Sequence, residues 1–166
     1  MATDILAELI TTKDNFFNAL GAFTREQFNT TPLEGSWTPG QVAEHIYKSV
    51  AGVPHLLGTD GISADRDPAL NVAGIRQMFL DFSTKMKSPG FVLPSNEPKD
   101  LVVLTRSLKE AFTATIDTAQ GKDLNLIIPD FEFPGSGPLS RLELLNFISV
   151  HTQRHTHQLQ QIRKLF

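Results

Sequence analysis

Apolar side chains near the amino end recur at steps of three and four: Ile5, Leu9, Thr12, Phe16, Leu20 and Phe23 fall on one stripe. That period predicts an amphipathic helix from about residue 3 to 22. Thr24-Arg-Glu-Gln27 then reads as a capping box that opens a short helical turn ending near Asn29, because threonine accepts from a free backbone N–H and glutamine reciprocates. After a loop over 31–37, Thr38-Pro39-Gly40-Gln41 supplies a second capping box with proline at the first helical position. The helix it starts carries Val42, His45, Ile46, Ser49, Val53 and Leu56 at helical spacing and stops near Gly58, with Pro54 expected to kink or shorten its last turn.

The segment 58–98 is a long connection. Asp67-Pro68 resembles another cap-plus-proline start, and Ile75, Met78, Phe79, Phe82 and Met86 predict a short amphipathic helix within it. Ser88 to Pro98 is rich in proline and is expected to be irregular. A third long helix is predicted over about 98–119, with Leu101, Leu104, Leu108, Ala111, Phe112, Thr115 and Ile116 inward and Gly121 as its stop. Leu124 to Ile128 could be extended, but a lone strand has nothing to pair with and FEFPGSGP reads as loop. The longest helix opens at the capping box Ser140-Arg-Leu-Glu143 and runs to about Lys164. The expected fold is therefore all-α, a four-helix bundle with one or two extra short helices in its connections, forming a single domain over residues 1–166.

Composition narrows the chemistry. The chain has 40% apolar and 20% charged residues, a globular balance, and its 15 basic and 18 acidic side chains give a net charge of −3. That charge offers no footprint for nucleic acid. With no cysteine, disulfides, thiolate ligands and protein thiol nucleophiles are excluded, so any metal must be held by His, Asp or Glu. The amino end has neither the basic segment nor the apolar core of a signal peptide, and no apolar run is long enough to cross a bilayer, so a cytoplasmic location is expected.

The last helix places Leu144, Ile148, His151, His155, Leu159, Ile162 and Phe166 on one stripe, so two histidines occupy core positions. At about 100° per residue, His151 and His155 lie roughly 40° apart around the helix and one turn apart along it, within reach of one ion. His45 takes an inward position of the second long helix and is the natural third ligand. Three imidazoles would leave coordination positions open for water or a small-molecule substrate. His157 is turned about 200° from His155, and His55 lies nearly three turns beyond His45, so both are left out. Glu44 points away from the stripe, and no general base is evident. Trp37 is expected to close the bundle end as a packing residue, with a rim position near the metal as the alternative. Two other readings stay open: an ion that only fastens two helices together, or three histidines that serve as hydrogen-bonded core residues without metal.

Gly35-Ser-Trp37-Thr-Pro-Gly-Gln-Val-Ala-Glu-His45-Ile, followed much later by Leu144-Leu-Asn-Phe-Ile-Ser-Val-His151-Thr-Gln-Arg-His155-Thr-His-Gln-Leu, resembles the DinB superfamily of metalloenzymes. The likeness spans nearly the whole chain. It implies a four-helix bundle holding one zinc, nickel or similar divalent ion through those three histidines and water, and a homodimer. It also implies activities of the thiol transferase, hydrolase or isomerase type, the first joining a low-molecular-weight thiol to an electrophile. The connection 58–98 departs from the family pattern and could cover the metal end of the bundle.

Overall fold

The computed structural model of the protein describes the backbone of residues 2–166 and the side chains of residues 5–166. It is mostly helical, with a small two-stranded sheet. The helices are α1 (Ala2–Leu20), α2 (Arg25–Phe28), α3 (Pro39–Val50), α4 (Val53–Gly58), α5 (Val72–Leu80), α6 (Leu101–Gln120) and α7 (Arg141–Arg163). A single 3₁₀ turn, Gly90–Val92, interrupts the long connection before α6. Strands β1 (Ile127–Phe133) and β2 (Gly137–Ser140) form an antiparallel hairpin between α6 and α7.

The apolar stripes determine the packing. Ile5, Leu9, Thr12, Phe16, Leu20 and Phe23 are all buried, and α1 lies along α7 and α6, while α3 packs on both α6 and α7. Phe16, Phe28, Phe112, Ile46, Leu108 and Leu144 are among the fully buried side chains of the core. Removing a ring such as that of Phe112 would cost about 3–5 kcal/mol in lost contacts and cavity. The capping boxes at Thr24, Thr38 and Ser140 are all formed, and Asp100 caps α6 through the N–H of Val103.

Three expectations need correction. The second long helix breaks at Ala51-Gly52 into α3 and α4, with Pro54 in the first turn of α4, where its missing N–H costs nothing. The helix within the connection begins at Val72, four residues beyond Pro68, and ends at Leu80, so Phe82 and Met86 lie outside it and are exposed. The all-α reading omits the hairpin, for which FEFPGSGP was the missing half. Gly135 and Gly137 adopt φ values of 81° and 65°, which only glycine takes without strain, and they turn the chain back on itself. Phe131 and Phe133 then alternate inward, with Glu132 outward, against Phe79 and Phe147. Ile127 also has a partner on its other side: it exchanges two backbone hydrogen bonds with Ile62, at 2.8 and 3.0 Å. This contact requires Gly61, because a Cβ there would meet the Leu126 Cβ at 2.6 Å.

The connection 58–98 is tied to the start of α7. Glu143, fully buried, accepts from both terminal guanidinium nitrogens of Arg66 (2.9 and 2.7 Å), from the N–H of Asn71 (2.8 Å) and from the N–H of Ser140 (2.8 Å). Burial alone would raise its pKa, but these hydrogen bonds outweigh it and hold the carboxyl below its ordinary value. α5 packs along α7 as a result, which brings the connection over the helix that carries two of the histidines.

Candidate metal centre

His45 lies two turns into α3. The Thr38 hydroxyl accepts from the N–H of Gln41 (3.0 Å) and the Gln41 side chain accepts from the N–H of Thr38 (2.9 Å), which fixes where the helix begins. With that start, Val42, His45 and Ile46 are turned into the core and are each at most 1% exposed. On α7 the Ser140 capping box sets the corresponding phase, and Leu144, Ile148, His151, Leu159 and Ile162 are buried while His155 is half-buried.

The three rings meet where α3 faces α7. Their centroids lie 4.9 Å (His45 to His151), 4.5 Å (His45 to His155) and 4.7 Å (His151 to His155) apart. One nitrogen from each ring lies within 4.8 Å of the other two, and no other group of His, Asp or Glu side chains among the described residues forms such a cluster. His45 Nδ1 donates to the Val92 carbonyl at 2.8 Å, and His155 Nδ1 donates to Gln158 Oε1 at 2.7 Å. Each of these bonds puts the proton on Nδ1 and the lone pair on Nε2, the arrangement that metal-binding imidazoles commonly take. His45 Nε2 in turn lies 2.9 Å from His151 Nε2.

The residues fit a divalent ion. Nitrogens around a tetrahedral zinc at roughly 2.0–2.1 Å sit about 3.3 Å from one another, a value between the 2.9 Å His45–His151 contact and the 4.8 Å outer spacing of the cluster. Lone pairs converging at this distance need a shared proton or a cation between them. The surroundings favour the neutral form of all three rings. Burial is the main cause in each: it lowers the pKa of His45, takes that of His151 well below the usual range and takes that of His155 to about 3. Mutual repulsion of the rings adds to this for His151 and His155. A neutral imidazole is the form that ligates metal.

Aromatic rings fix the histidines from outside. Trp37 lies 5.1 Å from His45 and stacks at 6.2 Å on His155, so the residue expected to close the bundle end stands directly against two members of the cluster. Phe147 stacks on His151 at 5.2 Å, and Phe79 meets the same ring edge-on at 5.7 Å. Phe133 packs on Phe147 at 5.0 Å, linking the hairpin to the cluster. Beside the histidines opens a cavity of about 530 Å³, bounded by α3, α4, α5, α7, the hairpin and the 3₁₀ turn.

The residues set aside from the cluster lie elsewhere. His157 stacks on Phe82 at 4.3 Å, His55 is exposed, and Glu44 pairs with Lys99 (2.8 Å) and Lys48 (3.5 Å). Sequence reasoning missed Val92, Gln158 and Phe79. Gln158 follows His155 by three residues, the spacing of one helical turn, so it was open to inference. Val92 and Phe79 come from the connection 58–98, and no local pattern announces which carbonyl or ring of such a segment will reach a distant helix.

No helix among the described residues is long and apolar enough to cross a membrane. No curated protein and no solved structure matches the chain. Over residues 8–159, which include all three histidines, the whole of α3, and α7 as far as Leu159, the sequence matches the DinB superfamily, and the chain belongs to that family.

Proposed function

We propose that this protein is a metal-dependent enzyme of the DinB type, in which His45, His151 and His155 ligate one divalent ion, zinc or nickel, inside a four-helix bundle of α1, α3, α6 and α7. The observation that carries this reading is the convergence of three imidazoles, two buried and one half-buried, whose Nδ1 protons on His45 and His155 are already engaged. Such an ion supplies Lewis acidity, which polarises a substrate oxygen or makes a water or thiol nucleophilic near neutral pH. Turnover rather than a purely structural role is supported by the donor count. Among the described residues the cluster offers three side-chain donors, and all three line a cavity whose other lining residues include exposed ones.

The chain's own residues have separable tasks. The Val92 carbonyl and Gln158 amide orient two ligand rings, Trp37 and Phe147 stack on rings of the cluster, and the aromatic wall around His151 keeps bulk water from one side of the centre. The reaction is of the thiol transferase or hydrolase type on a small molecule, with a low-molecular-weight thiol as the candidate co-substrate. The chain is taken as one domain over 1–166, cytoplasmic and working as a homodimer, which sedimentation would check. The test of function is a screen of metal-loaded protein against small thiols paired with electrophiles, and against activated esters, beside the His155→Ala variant. Turnover in the wild type that is lost in the variant is expected. Equal rates in the two would contradict the reading.

A further inference from the structure

The cavity beside the histidines is graded in exposure. At its inner end His45 and His151 are 1% and 7% exposed, while at its mouth Met78, Met86 and Phe91 are 51%, 39% and 78% exposed. Phe79, Phe133 and Phe147 line the wall between. Large apolar side chains gathered around one opening and left in water mark a binding surface rather than ordinary surface scatter.

Two of the cations that border this space, Lys48 and Arg154, are already engaged, and the third, Lys87, stands exposed at the rim. Lys48 donates to the Leu93 carbonyl at 2.8 Å and lies 3.5 Å from Glu44. The Arg154 guanidinium donates to the carbonyls of Phe79, Asp81 and Thr84, closing the C-terminal end of α5. At the exposed rim, Lys87 and Glu132 carry opposite charges. A carboxylate or phosphate pushed past the rim to the inner end would lose its water and find there only Lys48 and Arg154, whose N–H groups are already engaged, an expensive exchange. An apolar body would instead release water from both itself and the aromatic wall. The volume of about 530 Å³ is that of a drug-sized ligand site.

We propose that the substrate of this centre is a neutral, largely apolar molecule, aromatic or alkyl, with a single polar donor group at the end that reaches the histidines. This rests on the metal reading above for the polar end, and on the cavity alone for the apolar body. In a thiol transfer the apolar molecule would be the electrophile, and in a hydrolysis it would be the acyl part.

The test begins by measuring the zinc content of the loaded protein, then its affinity for acetohydroxamate, octanohydroxamate and the monohydroxamate of succinic acid by calorimetry. The expected order is octanohydroxamate tightest, by at least tenfold over acetohydroxamate, at up to about fourfold per methylene until the space is filled. The anionic succinyl compound should bind no better than acetohydroxamate. Equal affinities, or a preference for the anionic tail, would overturn the proposal while leaving the metal reading intact. Met78→Glu, at an exposed position of the mouth, should weaken octanohydroxamate at least fivefold without changing zinc content or acetohydroxamate binding, and an unchanged octanohydroxamate affinity counts against the cavity. If the protein takes up no zinc, the metal reading fails by itself. Displacement of the neutral dye Nile red by n-alkanols then decides the apolar part: tightening with chain length supports it, and absence of dye binding overturns it.

Discussion

Each histidine owes its role to its neighbours. His45 is oriented by a carbonyl forty-seven positions away in sequence, that of Val92, whereas His155 is oriented by Gln158 on its own helix. This difference explains what could be read in advance. The spacing of His151 and His155 on an apolar stripe, and the inward phase of His45 on a capped helix, follow from helical geometry alone. The Val92 carbonyl does not, because its position depends on how an irregular segment folds back. At this scale, His151→Ala or His155→Ala should abolish tight zinc binding, while His157→Ala, whose ring stacks on Phe82, should leave it unchanged. Titration with a chromophoric zinc chelator checks this, and equal loss in all three would refute the assignment of faces.

Among the elements, the long helices were legible because capping boxes and three-and-four spacing agree with each other, and every box read from the sequence is formed. The hairpin was not, because its first strand is irregular in register between Ile127 and Glu132, its second has only four residues, and its pairing depends on two glycines with positive φ. The start of α5 was misplaced for a related reason. Asp67 and Pro68 do form a turn, but the backbone there is held by Glu143 and Ser140 instead of continuing as helix: Ser140 Oγ donates to the Pro68 carbonyl at 2.6 Å. Glu143→Ala would leave the partly exposed Arg66 guanidinium with only the Asp67 and Pro138 carbonyls and without its counter-charge, and would leave the Asn71 N–H without its acceptor. The expected loss is about 3 kcal/mol, seen as a lowered denaturant midpoint. Proteolysis within 58–72 should rise with it, since the same carboxylate holds that segment to α7. A variant cleaved no faster than the parent would show that the connection is secured elsewhere.

For the whole molecule, the placement of three uncharged imidazoles in the interior links stability to pH. In the unfolded chain each histidine takes up a proton near its ordinary pKa of 6.5, whereas folding lowers that of His155 to about 3 and those of His45 and His151 in the same direction. Between these limits the unfolded state binds more protons than the folded one, so metal-free protein should lose stability as the pH falls from 6.5 toward about 3. Glu143 adds to the loss at the acid end, because its lowered pKa contributes stability above its ordinary value of 4.5 that disappears as the carboxyl protonates. Urea midpoints across this range should fall steadily, and the double variant His151→Ala/His155→Ala should show a flatter profile. A bound ion should raise the melting temperature of the wild type at neutral pH in proportion to the logarithm of free metal, because it binds only the folded arrangement.

The most direct measurement is X-ray absorption on zinc-loaded protein purified without an affinity tag. The account predicts one ion per chain with three imidazole rings in its scattering pattern and a further light-atom ligand not supplied by a histidine. An ion held by one imidazole or none, or protein that retains no metal, would contradict it.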